Sequence, residues 1–447
     1  MNIVLLSGGS GKRLWPLSND IRSKQFIKLL KKEDGTWESM MQRVYRQILT
    51  ANPEATVTIA TSKSQMASIQ NQLGKQIHIS VEPSRRDTFP AIVLAAAYLR
   101  DIQQISEQEV MVVCPVDPYV EGCYFSKLIQ MEELIKNGNT NLALLGIQPT
   151  YPSEKYGYIL PESSEVVSEV LAFKEKPDVT TARHYITQGA LWNGGVFAFK
   201  IGYLLRIAQE MIGFTEYHEL YNRYDTLTKI SFDYAVVEKE KQIKVVKYEG
   251  EWKDIGTWNT LTEAMPENQV GQAFFDEVCE NIHVVNELDV PVLCMGLKNV
   301  VVAASAEGIL VSDKEQSSYI KPHVEHITHR IMFAEKSWGY FRIINVEEDS
   351  LTIKITLNPG HAMNYHSHEH RDEVWTVVSG TGKAVIDGEE RGIKAGDVIC
   401  LPVGCKHTIL AETELKVIEV QMGKDISVED KKKYTLEEIE NWRREEE

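Results

Sequence analysis

Hydrophobic positions follow two different patterns along the chain. Up to about Leu261, short apolar runs such as Glu109–Cys114 alternate with longer, helix-like stretches such as Ala91–Leu99. Short apolar runs are typical of buried strands, and longer amphipathic stretches are typical of helices. This first section therefore predicts an α/β domain in which helices cover both faces of a sheet.

The rest of the chain is rich in short β-like segments. Between residues 262 and 330 these segments are only three to six residues long, and they predict either a small β-solenoid or a β linker. Between residues 331 and 424, dense alternating strands separated by glycine-bearing turns predict a small all-β barrel or jelly roll. The final section, 425–447, is highly charged, and the capping-box spacing of Thr435–Glu438 predicts a solvated helix or tail.

Length and charge narrow the class of protein. A chain of 447 residues, 43% of them apolar, is too long for one core, so we expect separate domains at 1–261, 262–330 and 331–424, followed by the tail at 425–447. The formal net charge of −16 disfavours a nucleic-acid or membrane-surface partner. An anionic substrate would therefore need a local cationic pocket.

Targeting signals and cysteine usage predict a cytoplasmic protein. No apolar run approaches the roughly 20 residues that span a bilayer, and the N-terminus lacks the cationic flank of a signal peptide. The six cysteines are scattered without a CxxC pair, which is typical of reduced thiols rather than a disulfide framework. We expect a small-molecule enzyme that binds neither nucleic acid nor membrane.

The first apolar run leads into a glycine-rich loop, Ser7–Ser18. Three glycines at positions 8–11 allow positive φ and let successive N–H groups point at one ligand, and Lys12 and Arg13 add positive charge. This pattern predicts a polyphosphate site. A dinucleotide fingerprint would need glycine at Leu14 and a Walker loop would need Ser or Thr at Arg13, so both are disfavoured. A glycine-rich turn without a ligand remains the alternative.

Several polar clusters follow the loop in order along the chain. Taken singly, each is compatible with a helix cap or a turn; their combination is more specific. The clusters are Arg22–Phe26, Glu82–Thr88, Cys114–Pro118, Phe173–Pro177, Trp192–Phe197 and Trp252–Trp258.

These motifs together resemble mannose-1-phosphate guanylyltransferases, and the resemblance covers the whole first section. The segments that carry it are Gly8–Ser18, Lys24–Phe26, Glu82–Ile92, Tyr156–Ile159, Glu175–Pro177, Trp192–Phe197, Phe232–Ala235 and Trp252–Trp258. The resemblance implies a Rossmann-like, GT-A-like nucleotidyltransferase fold with a mixed sheet. It also implies a Mg²⁺-dependent reaction in which mannose 1-phosphate attacks the α-phosphorus of GTP in line, giving GDP-mannose and pyrophosphate.

The resemblance also implies roles for individual residues. The implied catalytic residues are Arg13, Lys24, Asp117 and Asp254, of which Asp117 and Asp254 would hold Mg²⁺. The implied nucleotide-binding residues are Gly8, Gly9, Ser10, Gly11, Lys12, Arg13, Glu82, Arg86 and Asp87. The implied sugar-phosphate-binding residues are Gly157, Glu175, Lys176 and Asn193.

One position departs from the family's pattern. Asp87 stands where the family usually has Asn. If this segment lies near the base, the departure leaves open a nucleotidyltransferase for another nucleotide or another sugar 1-phosphate.

The β-rich section has a second pattern of its own. Gly360 is followed after five residues by His366 and His368, then after four residues by Glu373, and His407 comes later in a Pro-x-Gly-x₂-His segment. Alternate residues of a strand face the same side, so both histidines of the first pair would point into one barrel, where the other two residues complete an N₃O metal site. The spacing resembles the two cupin motifs, and implies a divalent transition metal such as Zn, Mn, Co, Fe or Ni. A metal-free cupin is the alternative.

A guanylyltransferase followed by a cupin resembles the layout of bifunctional type II phosphomannose isomerases. This resemblance implies that the barrel interconverts mannose 6-phosphate and fructose 6-phosphate. Three departures leave the activity open: His366 replaces a Gln, Val374 replaces a His, and Thr408–Glu412 replaces an Arg-Leu-Glu-Asn-Pro stretch. The barrel is therefore either an isomerase or a non-catalytic module for metal or sugar binding and oligomerisation. We expect a homo-oligomer, specifically a dimer.

Overall fold

A computed structural model describes residues 1–434 except Ser10, Gly11, Asp20, Asn139, Thr328, His329, Asp425 and Val428. The chain forms two compact units. Met1–Gly11 and Ser23–Glu267 make up the first, and Lys12–Arg22 and Asn268–Glu447 the second. The cationic half of the glycine-rich loop thus groups with the C-terminal part of the chain.

The first unit contains thirteen strands and eight α-helices among its described residues. The strands are β1 (Asn2–Leu6), β2 (Lys28–Lys31), β3 (Trp37–Ser39), β4 (Thr56–Ser62), β5 (His78–Glu82), β6 (Val110–Pro115), β7 (Pro118–Val120), β8 (Leu142–Ile147), β9 (Tyr158–Pro161), β10 (Val167–Lys174), β11 (Leu191–Lys200), β12 (Ile243–Tyr248) and β13 (Trp252–Asp254). The helices are α1 (Met40–Ala51), α2 (Met66–Leu73), α3 (Thr88–Asp101), α4 (Cys123–Lys136), α5 (Val179–Thr187), α6 (Ile201–Met211), α7 (Tyr217–Asn222) and α8 (Trp258–Ala264). A 3₁₀ turn covers Lys24–Phe26 and a π-helical turn covers Asp233–Val237.

Nine strands form one mixed sheet in the order β5-β4-β1-β6-β11-β8-β12-β10-β9. The strands β5, β4, β1 and β6 run parallel, whereas β11 is antiparallel to its neighbours β6 and β8. Helix α3 packs with Val113 in the main core, while Tyr124 of α4 contacts the next residue of the strand, Cys114. Because consecutive residues face opposite sides of a sheet, these helices cover opposite faces, and the predicted α/β architecture is confirmed.

The second unit is built almost entirely of strands. They are β14 (Gln269–Val270), β15 (Ala273–Phe275), β16 (His283–Asn286), β17 (Val292–Cys294), β18 (Val300–Ser305), β19 (Gly308–Asp313), β20 (Phe333–Lys336), β21 (Gly339–Val346), β22 (Ser350–Leu357), β23 (His366–Ser367), β24 (Asp372–Ser379), β25 (Thr381–Ile386), β26 (Glu389–Lys394), β27 (Val398–Leu401), β28 (His407–Ala411), β29 (Leu415–Met422) and β30 (Lys432–Lys433). Helix α9 (Lys321–Val324) and 3₁₀ turns at Lys12–Leu14 and Gln316–Tyr319 complete it.

The strands before the barrel form a short solenoid. β14, β16 and β18 pair in parallel, and β15 and β17, which alternate with them along the chain, form a second parallel pair. This alternation places successive coils on top of one another and buries Val284, Ile282 and Val302 between them. Of the two architectures that the sequence left open, the structure therefore shows the solenoid. It ends in the antiparallel hairpin β18–β19.

Two antiparallel sheets form the barrel. Their strand orders are β20-β21-β22-β29-β24-β27 and β26-β25-β28-β23-β30. Alternate residues point inward, and the fully buried Trp375 lies in the core between the sheets. The predicted jelly roll is confirmed, whereas the helix predicted from Thr435 onward lies outside the described residues. Among the described helices, none combines the length and the apolar character needed to cross a membrane.

Two candidate active sites

The first site is centred on one lysine and two aspartates of the first unit. Asp117 follows the buried strand β6, and the pairing of β13 with β7 sets Asp254 opposite Pro118. Lys24 Nζ lies 2.8 Å from Asp117 Oδ2 and 4.0 Å from Asp254 Oδ1, and it donates to the Ile255 carbonyl oxygen at 3.3 Å. Lys24, Asp117 and Asp254, which are far apart along the chain, therefore lie next to one another. In the sequence only the family resemblance linked these three residues.

The glycine-rich loop leaves β1 with an open backbone. Gly8 and Gly9 are exposed, Gly9 has a φ of +116°, and no atom lies where a side chain at either position would begin. Ser23 Oγ donates to the Gly9 carbonyl oxygen at 3.3 Å, which ties the loop to the segment that carries Lys24. The predicted ligands Ser10 and Gly11 lie outside the described residues.

The cationic residues of the loop lie on the 3₁₀ turn Lys12–Leu14 of the second unit. Leu14 is buried and anchors the turn, and Arg13 is exposed. An exposed guanidinium that directly follows a glycine-rich segment is available to an anionic ligand.

The segment between β5 and α3 contains Glu82, Arg86 and Asp87. Glu82 is buried and accepts a hydrogen bond from Tyr224 Oη at 2.9 Å, and burial raises the pKa of its carboxyl group. Arg86 donates to the Asp225 carbonyl oxygen. Asp87 has a φ of +71° and its carboxylate accepts from the Thr88 N–H at 2.7 Å, so it caps α3. Its ψ is −179°, and residues other than glycine rarely adopt this combination of angles.

The four predicted sugar-phosphate residues are brought together. A Cβ atom at Gly157 would lie 2.6 Å from Glu175 Oε2 and 3.3 Å from Asn193 Cβ. Asn193 N donates to the Gly157 carbonyl oxygen at 2.8 Å, and Lys176 Nζ donates to Glu175 Oε1 at 2.6 Å. The cluster has one cation beside hydrogen-bonding groups, which suits a phosphorylated sugar.

Sequence reasoning left Asp233 out of this cluster. Asn193 Nδ2 donates to Asp233 Oδ1 at 2.7 Å. Burial, followed by the negative charge of Glu175, raises the pKa of Asp233 to about 6. The signal was present, because Phe232–Ala235 belongs to the motifs that carry the resemblance, but nothing in the sequence showed that this carboxylate faces Asn193.

Aromatic side chains connect the two clusters of the first unit. The ring of Tyr156, next to Gly157, lies 4.9 Å from that of Trp192 and 5.5 Å from that of Trp252, which stands on the same short strand as Asp254. Burial, and after it the Asp254 carboxylate, raises the pKa of Tyr156. These rings therefore connect the aspartate pair with the cluster of predicted sugar-phosphate residues.

The second site lies inside the barrel. His366, His368, Glu373 and His407 are all buried, and their potential ligand atoms lie within 4.8 Å of one another. The register of β23 with β28 places His366 directly opposite His407, and β24 supplies Glu373. Glu373 Oε1 lies 3.0 Å from His368 Nε2, and Glu373 Oε2 lies 3.4 Å from His407 Nε2.

The surroundings of the histidines fit a metal ion. Each Nδ1 contacts a backbone carbonyl oxygen: that of Asn364 for His366, that of Asp430 for His368 and that of Cys405 for His407. An Nδ1–H engaged in this way leaves the Nε2 lone pair directed toward the centre, as in metal-binding histidines. Burial lowers the pKa of His366 to about 2, so its imidazole is neutral and able to coordinate. His407 Nε2 is a buried atom without a hydrogen-bond partner among the described residues.

Arg371 is a further residue of this site that spacing alone did not identify. It is 6% exposed, its Nε donates to Glu373 Oε1 at 2.9 Å, and its Nη2 lies 3.1 Å from His368 Nε2. A buried guanidinium balances the charge of the buried carboxylate. A metal ion and Arg371 would share the same two partners, His368 and Glu373.

The segment around the last described strand brings a lysine near the histidines. The register of β23 with β30 pairs His366 with Lys433 and Ser367 with Lys432, but both lysines are exposed. Lys431, two positions before Lys433, is less exposed, and its positive charge adds to burial in lowering the pKa of His366. Lys432 is on the other face, where its Nζ lies 5.7 Å from the ring of Tyr434.

Comparisons with known proteins match a family to each of the two sections that carry these sites. Residues 2–270 match the nucleotidyl transferase family, and residues 321–435 match the family described as mannose-6-phosphate isomerase C-terminal. The mannose-1-phosphate guanylyltransferase of Escherichia coli K12 is 30% identical over 470 aligned residues, which cover 96% of each chain. The xanthan biosynthesis protein XanB of Xanthomonas campestris pv. campestris is 28% identical over 466 residues, again 96% of each chain.

Among solved structures, one titled mannose-1-phosphate geranyltransferase, from Thermus thermophilus, aligns with a TM-score of 0.60 and 28% identity, covering 72% of this chain and 98% of that one. The chain therefore belongs to the nucleotidyl transferase family, and it is an enzyme of that class. Within the class, its similarity over nearly the whole length is to proteins named mannose-1-phosphate guanylyltransferase, and the family resemblance that the motifs carried is confirmed.

Proposed function

We propose that the protein transfers GMP from GTP to α-D-mannose 1-phosphate, giving GDP-mannose and pyrophosphate. The observation that carries the proposal is the convergence of Asp117 and Asp254 on Lys24, beside a cluster suited to a sugar phosphate. An oxygen of the sugar phosphate forms a bond to the α-phosphorus as the bond to the pyrophosphate oxygen breaks. Such a reaction depends on positioning two anions and neutralising their repulsion.

In this proposal each group of residues binds a different part of the two substrates. Loop N–H groups with Lys12 and Arg13 hold the triphosphate and stabilise the departing pyrophosphate, and Lys24 contacts the α-phosphate. Lys176 binds the phosphate of the sugar, and Glu175 and Asn193 contact its hydroxyl groups, with Gly157 leaving room for the ring.

The two aspartates are the proposed holders of Mg²⁺. Their side chains are 36% and 37% exposed, so they are open to solvent while pointing at a common centre. Carboxylates together with phosphate oxygens are the ligands that Mg²⁺ prefers. When bound, the ion would neutralise charge on the phosphate groups; the aspartates and Lys24 provide the fixed frame for it.

A substrate panel tests the transferase proposal. Pyrophosphate release is measured with GTP, ATP, UTP and dTTP, each combined with mannose 1-phosphate, glucose 1-phosphate or galactose 1-phosphate. We expect GTP with mannose 1-phosphate to be preferred by at least about tenfold, equivalent to about 1.4 kcal/mol. Equal rates with UTP or dTTP would refute the assignment of GTP as the substrate and would indicate a transferase of different specificity.

The replacement of Asn by Asp at position 87 does not by itself favour another base. Its carboxylate caps α3, a role that Asn fills about equally well. This contact of Asp87 is with its own helix, so it gives no reason to assign the position to the base.

For the barrel we propose a metal-dependent isomerase that interconverts mannose 6-phosphate and fructose 6-phosphate. Two observations favour it: three histidines oriented by carbonyl oxygens around one carboxylate, and the positive charge of Lys431 close to them. This lysine would attract a phosphate group toward the metal centre in a protein whose net charge is −16. A divalent transition metal would polarise the sugar oxygens when bound.

Removal and return of metal tests the barrel proposal. The protein is stripped with a chelator, reloaded with Zn²⁺, Mn²⁺ or Co²⁺, and assayed for fructose 6-phosphate formed from mannose 6-phosphate. We expect activity to depend on metal and to disappear in His368→Ala while pyrophosphate release persists. Metal bound at one equivalent without any turnover would instead identify a non-catalytic binding module.

The proposal extends to the compartment, the use of the product and the oligomeric state. The six cysteines are free thiols, and reduced thiols are typical of cytosolic proteins; the proposed compartment is the cytoplasm, where GTP is available. GDP-mannose would serve polysaccharide synthesis. The dimer expected from the sequence is tested by light scattering of the full chain.

A further inference from the structure

The cationic half of the glycine-rich loop is held by the solenoid hairpin of the second unit. Ser305 Oγ donates to the Pro16 carbonyl oxygen at 2.6 Å. Gly308 lies against the indole of Trp15, so closely that a Cβ atom there would be 2.5 Å from Trp15 Cζ2. The turn between β18 and β19 therefore supports the loop at two consecutive residues.

A buried glutamate in the same turn connects three segments. Glu307 is 7% exposed, and its Oε1 accepts from Asn19 Nδ2 at 2.8 Å and from the backbone N–H groups of Met332 and Phe333 at 3.0 Å each. Asn19 Oδ1 in turn accepts from the Arg22 N–H at 2.7 Å. One carboxylate thus fixes the loop, the hairpin and the entry to the barrel relative to one another. Hydrogen bonds to a charged group are stronger than those between neutral groups.

The end of the loop is fixed by a bidentate ion pair. Arg22 Nη1 and Nη2 lie 2.8 Å from the two carboxylate oxygens of Glu287 in the solenoid. The guanidinium also lies over the ring of Phe333, 4.9 Å from its centroid. The pair is mostly buried, with side-chain exposures of 12% and 25%. Such planar, two-point pairing sets orientation as well as energy.

We propose that Glu287 and Glu307 are positioning residues of the transferase, which hold residues 12–22 in the conformation that binds the triphosphate. The inference rests on the proposed role of this loop. Ordering a flexible backbone costs conformational entropy. If the loop is already ordered before the nucleotide binds, less of the binding free energy is lost in ordering it, and affinity is higher. In this proposal the solenoid acts on GTP affinity through residues 12–22.

Charge reversal with rescue tests the proposal. Arg22→Glu and Glu287→Arg are each expected to raise the KM for GTP at least about tenfold, with the KM for mannose 1-phosphate and kcat within about threefold. The double variant restores the pair with opposite polarity and should bring the KM for GTP back to within about threefold of wild type. The matched control is Glu280→Arg, which breaks an exposed pair with Lys298 in the same solenoid and should change nothing.

A second variant covers the case in which the reversals unfold the protein, detected as loss of the thermal transition and of metal binding in the barrel. Gly308→Ala leaves the ion pair intact, places a Cβ atom against Trp15 and strains the backbone at position 308, whose φ is +148°; in the folded protein it too should raise the KM for GTP selectively. Unchanged KM for GTP in folded Gly308→Ala and Glu287→Arg proteins would overturn the inference.

The loop's own role is checked separately with Arg13→Ala. If that variant also leaves the KM for GTP unchanged, the proposed role of the loop fails as well. If Arg13→Ala raises it and the Glu287 and Gly308 variants do not, only the positioning role fails.

Discussion

Adding a single methyl group at Gly157 should weaken the sugar-phosphate site selectively. In Gly157→Ala, the new Cβ would lie 2.6 Å from Glu175 Oε2, about 0.8 Å short of the 3.4 Å at which ordinary contact begins. It would also lie 3.0 Å from Phe173 Cζ. Glu175 has little room to retreat, because it is 7% exposed and accepts a hydrogen bond from Lys176.

The size of the effect follows from the cost of overpacking a closed site. Inserting a methyl group into such a site costs about 1–3 kcal/mol. If that cost falls on substrate binding, the KM for mannose 1-phosphate rises by about 5- to 150-fold. The KM for GTP should stay within about twofold, since the described nucleotide-loop residues Gly8 and Gly9 are not among the contacts of the new atom.

Steady-state kinetics with each substrate varied in turn measures the effect. Gly122→Ala is the matched control, because its backbone is helical and no atom lies within 4 Å of the added Cβ. A folded Gly157→Ala enzyme with an unchanged KM for mannose 1-phosphate would refute the assignment of Glu175 and Asn193 to the sugar. A parallel rise in both KM values would point to general distortion instead.

Three further outcomes are expected. Asp117→Asn should lower kcat by about 100-fold or more, since metal-assisted charge stabilisation is worth several kcal/mol; wild-type pyrophosphate release would remove Asp117 from the metal site. The pKa of Asp233 is raised to about 6, so the stability this carboxyl contributes is fully present below about pH 4 and is lost as pH rises through 6. Denaturant titrations should then show Asp233→Asn gaining up to about 3 kcal/mol on wild type between about pH 4 and 7, whereas a constant difference would contradict the shift. Val374→His should leave the metal content of the barrel unchanged by elemental analysis, because residue 374 alternates with the buried Glu373 and Trp375 and faces outward; an altered stoichiometry would show that it faces in.

The sequence was most informative where function depends on local spacing. The spacing of His366 and His368 predicted two ligands on one face by strand alternation, whereas Glu373 comes from β24 in the other sheet and was identified by the resemblance of the motif. The α/β section was predictable from local pattern too, since runs such as β6 are apolar throughout. By alternation along β24, Val374 lies on the face opposite to Glu373 and Trp375.

What the sequence left open depends on contacts between distant segments. The solenoid strands are so short that only their parallel stacking, coil on coil, distinguishes them from a linker. Arg371 and Asp233 lie within motifs that were noticed, yet their partners are set by which side chains the folded chain buries together. No local pattern shows that Arg22 pairs with Glu287, 265 positions away.

The grouping of Lys12–Arg22 with the C-terminal unit limits how related genes can recombine. The solenoid, which lies in the C-terminal half of the gene product, depends on contacts with this N-terminal stretch. Recombination near residue 267 would therefore exchange Glu287 and Glu307 without their partners Arg22 and Asn19. Successful chimaeras between relatives should carry the N-terminal loop and the solenoid from the same parent, together with the first barrel residues Met332 and Phe333, which share their contacts.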